Sequence, residues 1–238
     1  MPPYDRRNRA LKLASIGAAL LPLTAASATP AVPAWPDTPV ARLEVLALLQ
    51  SLNAALLSHD SATLTLDDWC ARHKLAAAGE TIVAERVRGV EKPVSAELRM
   101  LLQVGVDEPV RYRRVRLRCG ALILSEADNW YVPGRLTTAM NVTLDSSDIS
   151  FGRVVQPLHF RRRTLSAALL WSPLPGDWET NPSAIPVESS AALGIPEHVM
   201  EHRAVLVRPD GTPFSALTET YTSAVLAFPP PAISGVRR

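Results

Sequence analysis

Apolar and polar positions along the chain fall into three kinds of pattern. Leu43, Leu46, Leu49, Leu52, Leu56 and Leu57 recur every three or four residues, which places them on one face of a helix running from about Val40 to Ser58. Thr65, followed by Asp67 and Asp68 where the helix dipole favours acids, predicts the N-cap of a second helix carrying Trp69, Cys70 and Leu75. After Gly79 the period shortens to two: residues 80–89 alternate Ile82, Ala84 and Val87 with polar neighbours, and a short helix, VSAELRMLLQ, follows Pro93. Two hairpins stand out. Residues 111–120 run into 121–133, and residues 202–208 turn on Pro209-Asp210-Gly211 into a strand from Phe214 to about Val225. Between them the pattern predicts a helix around Leu136–Leu144, the segment ISFGRVVQP, and an apolar strand from about Leu165 to Trp171; residues 172–197 read as a long loop. Helices first, hairpins later and no β-α-β alternation predict an α+β domain on an antiparallel sheet.

The first residues follow a different logic. Arg6, Arg7, Arg9 and Lys12 precede an uncharged apolar run at 13–21, and Ala26-Ser27-Ala28 supplies the small residues that a signal peptidase reads. Residues 1–28 are therefore expected to be a signal peptide, with a periplasmic or secreted destination; the alternative is an N-terminal extension of a cytoplasmic protein. The run is too short for a stable membrane span, and Pro22 interrupts it. TPAVPAWPDTP, residues 29–39, is expected to be a Pro-rich tether, residues 40–228 the folded domain and residues 229–238 a disordered tail.

Composition narrows the function classes. The chain has 238 residues, 47% hydrophobic and 20% charged, enough to bury a core. Its 25 basic residues, 22 of them Arg, face 23 acids, so no basic field for nucleic acid remains. Loss of residues 1–28 would remove four bases and Asp5, taking the formal charge from +2 to −1. The five His do not form a metal pattern: His198 and His202 lead into a strand. Cys70 and Cys119 are expected to be two buried thiols, with one disulfide the alternative for an exported chain.

Two strands carry candidate chemistry. Arg114, Arg116 and Arg118 share one face of a strand and Val115, Leu117 and Cys119 the other, so a lid over the first face would bury an Arg suited to a carboxylate; Arg113, in phase with the apolar set, competes. On the last strand Glu219 shares a face with Leu217 and Tyr221. A Glu among apolar neighbours either pairs with an Arg or takes up a proton. Gly152, after Phe151, could let backbone N–H groups meet an anion, although a single Gly lacks the repeat of a phosphate loop and a simple turn is the plainer reading of the residues.

Four segments together resemble the chorismate pyruvate-lyase family over about residues 64–226. TLTLDDW is similar to the start of that family's first flap helix, and VRYRRVRLRCG to its Arg-bearing strand. NWYVPGRLT with ISFGRVV resembles its Val-Pro and Leu-Gly-Arg region, and HRAVLVRPDGTPFSALTE its closing hairpin. The resemblance implies an antiparallel sheet with helical flaps over a buried ligand pocket. It implies Arg114 as carboxylate ligand, Glu219 as active-site acid, and Phe151, Gly152 and Leu64 as substrate-binding positions. It also implies elimination of pyruvate from chorismate to give 4-hydroxybenzoate, without metal or cofactor. The partner so implied is a small anionic aromatic or cyclohexadienyl compound; a non-catalytic binding protein on the same fold is the alternative, and the oligomeric state is left open.

Overall fold

The computed structural model describes residues 34–186 and 191–231. The expected signal peptide, the start of the expected tether and most of the expected tail lie outside the described residues.

Thr38 accepts a hydrogen bond from the Ala41 N–H and caps α1, Pro39–Ser58, with Pro39 in the first turn where its missing N–H costs nothing. Ala41, Val45, Leu49, Leu52 and Leu56 form its buried stripe. Although α1 is long and apolar enough to cross a membrane, this stripe packs into the protein core. The Pro-rich segment is docked from Ala34 onward: Trp35 is buried, its Nε1–H donates to the Leu226 carbonyl at 3.0 Å, and Pro36 bridges to Ala192.

The second helix, α2, spans Ala62–Arg72 and starts four residues earlier than its pattern predicts. Ser61 is its cap, and the Thr65 hydroxyl donates back to the Ser61 carbonyl instead of capping. Leu75 lies past the helix end. Short strand β1, Val83–Val87, precedes α3, Ala96–Leu102, which Ser95 caps. The first hairpin is β2, Arg111–Cys119, and β3, Leu122–Tyr131, turning through Gly120 at φ +54°. Helices α4, Thr138–Ser146, and α5, Phe151–Val155, follow. Then come β4, Arg161–Leu169, and the closing hairpin β5, His198–Val207, with β6, Pro213–Thr222.

The six strands form one antiparallel sheet in the order β1-β2-β3-β6-β5-β4. The α+β class is thus as the patterns predict. Strand β4 departs from its expectation: it begins at the Arg161-Arg162-Arg163 run, ends at Leu169, and is largely exposed because it is an edge strand. Cys70 and Cys119 form a disulfide with Cα atoms 6.2 Å apart, so they are not the two buried thiols expected. Both sulfurs belong to elements that the core already presses together, α2 and β2.

One face of the sheet carries two apolar clusters. The first joins α1 and α2 to Val115, Leu117, Cys119, Ala127 and Tyr221. The second joins Met140 and Leu144 of α4 and Phe151 and Val155 of α5 to Leu206, Phe214 and Leu217. On the other face α3 covers Trp130, Val205 and Ala216. The rest of that face bears a lattice of ion pairs, Arg114 with Glu126 at 2.8 Å, Arg116 with Glu126 at 3.0 Å and Arg118 with Glu85 at 2.8 Å.

Candidate functional site

Where the two apolar clusters meet, the sheet and helices enclose a cavity of about 50 Å³ open to the centre of a water-sized sphere. At roughly 10–15 Å³ per water in this measure, it has room for about four waters. Its floor comes from strand residues of a single face: Arg113, Val115 and Leu117 of β2, Ala127 and Asn129 of β3, Leu217 and Glu219 of β6, Leu206 of β5 and Arg162 of β4. Register explains the convergence. Arg113 lies opposite Asn129, Asn129 opposite Leu217, and Ala127 opposite both Val115 and Glu219, so directly paired side chains point the same way. The roof is the start of α2, the start of α5 and Phe160.

The charged groups divide between two ends. At one, Arg162 and Glu219 form a buried ion pair, Nη2 to Oε2, at 2.6 Å, with side-chain exposures of 4% and 8%. Tyr221 donates its hydroxyl to the same oxygen at 3.2 Å, and its pKa is pushed well above the usual value by burial and then by the Glu219 charge. Burial alone would lower the Arg162 pKa, but the adjacent Glu219 and Tyr221 reverse that and raise it. At the other end stands Arg113, 3% exposed. Its Nη2 donates to the Ile149 carbonyl at 3.3 Å. Among the described residues Nε and Nη1 find no acceptor, and burial, reinforced by nearby Arg86, lowers its pKa. The hydroxyl of Ser150, which also lines the cavity, is buried and lacks a partner too, as does Nε of Arg162.

Of the residues singled out in the sequence, Glu219, Phe151 and Gly152 line this cavity together. Arg114 and Leu64 do not. Arg114 is one residue out of phase: it emerges on the opposite face of the sheet and is paired with Glu126 at 2.8 Å and Asp128 at 3.6 Å. Its neighbour Arg113 occupies the cavity instead. Leu64 is 45% exposed and its N–H faces the Ser61 hydroxyl at 3.5 Å; it borders an outer recess beside His59, Arg153 and His159 that adjoins the cavity across Ser61, Gly152 and Phe160. A Cβ at Gly152 would come within 2.9 Å of the Oγ of Ser61, the cap of α2, so any larger residue there would push that side chain aside. Asn129, Ser150 and Arg162 were not indicated by the sequence patterns; an Arg triplet at the start of a strand looks solvated until the register shows that its middle member turns inward.

Among the described residues, no group of His, Cys, Asp and Glu is arranged to hold a metal. His202, buried opposite Glu219, is occupied with Asn53 of α1 at 2.9 Å. What the cavity can do is accept an anion at Arg113 and Ser150, hold an apolar ring between Val115, Phe151, Phe160 and Leu217, and offer Glu219 as acceptor to a donor group on the ligand.

No protein-family model matches the chain. Solved structures similar to it include the possible transcriptional regulator YydK from Bacillus subtilis, at 15% identity over 62% of this chain with a TM-score of 0.36. This chain spans 61% of that protein's length. Another is the effector domain of PhnF from Mycobacterium smegmatis, at 13% identity over 69% of this chain and 89% of that one, with a TM-score of 0.43. Among curated proteins, the uncharacterized protein y4mC of Sinorhizobium fredii is 57% identical over 199 residues, 84% of each chain. At that identity and coverage, the chain belongs to the same family as y4mC.

Proposed function

We propose that the chain binds a small aromatic or cyclohexadienyl carboxylate in this cavity. The observation that carries the reading is the buried Arg113 guanidinium, which has two N–H-bearing nitrogens without acceptors beside the unpartnered Ser150 hydroxyl. Buried donors left unpaired cost free energy, and a carboxylate accepting from both nitrogens removes that cost. Glu219 pairs with Arg162, and Asp60, the cavity's other carboxylate, accepts from the Arg162 backbone N–H at 2.7 Å, so among the described residues Arg113 is the lining cation with no carboxylate within ion-pair distance. A ring fits the apolar middle, and a hydroxyl on its far side meets Glu219.

A second reading, catalysis, draws on Glu219 lying in the same cavity as Arg113, whose Nε and Nη1 have no acceptor among the described residues. Here the ligand is chorismate, Arg113 holds the ring carboxylate, and Glu219 assists the proton movement that accompanies elimination. The ether bond to the enolpyruvyl group breaks, the proton lost from the ring ends on the enolpyruvyl methylene, and the products are 4-hydroxybenzoate and pyruvate. This chemistry requires no added oxidant or metal. Export suits the Cys70–Cys119 bond, since disulfides persist in oxidising compartments.

The test is to mix the purified chain with chorismate, follow both products by chromatography, and measure the melting temperature with chorismate, 4-hydroxybenzoate and benzoate. A rise in melting temperature without products supports binding alone. Products that vanish in Glu219→Gln support the lyase. No shift and no products with any of the three acids would refute both readings.

A further inference from the structure

We propose that the Cys70–Cys119 disulfide is a redox latch on the ligand cavity: the oxidised bond holds the roof helix α2 in its ligand-binding position, and bound ligand in turn protects the bond from reduction. The proposal rests on the reading that the cavity binds a small carboxylate. Its geometry is independent of that reading.

Strand β2 connects the two ends of the device. Arg113, Val115, Leu117 and Cys119 point to the same face, so one strand carries the unpartnered cation, two floor residues of the cavity and, at its end, the sulfur. The bonded partner, Cys70, sits near the end of α2, whose first residues, Ala62 and Thr63, form part of the cavity roof. The bond is thus the covalent tie between roof helix and floor strand. The remaining ties of α2 are non-covalent: Asp67 accepts from the Ile82 N–H at 2.6 Å and pairs with Arg153 of α5, and Trp69 donates to the Val225 carbonyl at 2.9 Å.

Accessibility makes the coupling reciprocal. Cys70 is 2% and Cys119 0% exposed, so no reductant thiolate reaches either sulfur in the closed structure. Attack requires α2 to lift from the sheet, and the same movement displaces Ala62 and Thr63 from the cavity roof. A ligand that favours the closed state lowers the population of the lifted one, and by linkage a lifted helix lowers affinity for the ligand. The chemistry balances with an external dithiol. Its thiolate attacks one sulfur, its second thiol closes on the resulting mixed disulfide, and it leaves oxidised while Cys70 and Cys119 leave as thiols carrying the two electrons.

The experiment uses the full chain in its oxidised form. Dithiothreitol is added with and without 4-hydroxybenzoate, and freed thiols are trapped by alkylation and counted by mass spectrometry over time. Binding heats are measured in parallel for the oxidised chain, the reduced chain and Cys70→Ala/Cys119→Ala, with circular dichroism to verify that the latter two stay folded. At a ligand concentration ten times its Kd, reduction is expected to slow by about tenfold, and the folded reduced chain to bind at least about tenfold more weakly. Ligand binding with an unchanged reduction rate, or equal affinity in the oxidised and folded reduced chains, would overturn the latch alone. Absence of any binding heat in the oxidised chain would overturn the carboxylate reading and the latch with it.

Discussion

Arg113 and Arg114 are neighbours with opposite fates. Alternation in β2 sends Arg114 to the solvated face, where Glu126 and Asp128 satisfy it, and Arg113 beneath the roof helices with two nitrogens unpartnered. Replacing Arg113 with Met, similar in length and apolar, should therefore stabilise the ligand-free chain by about 1 kcal/mol or more in urea unfolding while removing the melting shift caused by 4-hydroxybenzoate. Arg114→Met should leave that shift intact. Arg162→Met is the opposite case. It strips Glu219 of its buried cation and is expected to cost about 3–5 kcal/mol at neutral pH, because an uncompensated carboxylate is left behind. At this scale the burial of Glu219 and its pairing with an Arg were legible from its apolar companions. Choosing between the two Arg was not, because strand phase shows which side chains travel together and not which face the helices will cover. The family resemblance selected Arg114, one residue from the Arg that lines the cavity.

Among the elements, α2 and the β5–β6 pair respond to different variables. The disulfide spans 49 residues of sequence, and chain-entropy reasoning assigns such a loop about 4 kcal/mol of stabilisation. Cys70→Ala/Cys119→Ala should lose about that much in denaturant titrations without ligand. The closing hairpin titrates, as does His73 at the end of α2. Burial lowers the pKa of His202, which faces Glu219 and Tyr221 of β6, Arg162 of β4 and Asn53 of α1. Burial followed by the charge of Arg72 lowers that of His73, which stacks on Phe228. For both, the unfolded chain binds protons more readily than the folded one. Their stabilising effect is complete above the unfolded value of about 6.5 and is lost as pH falls below it. His202→Asn should make the acid side of a stability-against-pH curve shallower. Helix α1 was readable from its leucine spacing, and both hairpins from alternation with turn residues. The start of α2 was misplaced because Ser61 and Thr65 are both competent caps, and only the tertiary position of Asp60 and Ser61 beside the cavity decides between them. Edge strand β4 was shifted because its most buried side chain is the charged Arg162 and its apolar residues are largely exposed, so hydrophobic alternation does not mark its start.

Across the whole molecule, the sheet does what none of its strands does separately. It brings Arg113 from β2, Glu219 from β6 and Arg162 from β4 onto one face, although β4 lies four places from β2 in the sheet. Strand order of this kind leaves no mark on local sequence pattern, which is why Arg162 went unmarked while the α+β class and both hairpins were legible. The same arrangement divides the sheet by face: ion pairs and α3 on one, the cavity and roof helices on the other. The most direct measurement of the central claim is a crystal structure of the oxidised full chain with 4-hydroxybenzoate. The expected result places the carboxylate within hydrogen-bonding distance of Arg113 Nε and Nη1 and of the Ser150 hydroxyl, with the ring hydroxyl on Glu219. A ligand found at Arg114 on the opposite face, or a cavity left without ligand at saturating concentration, would contradict it.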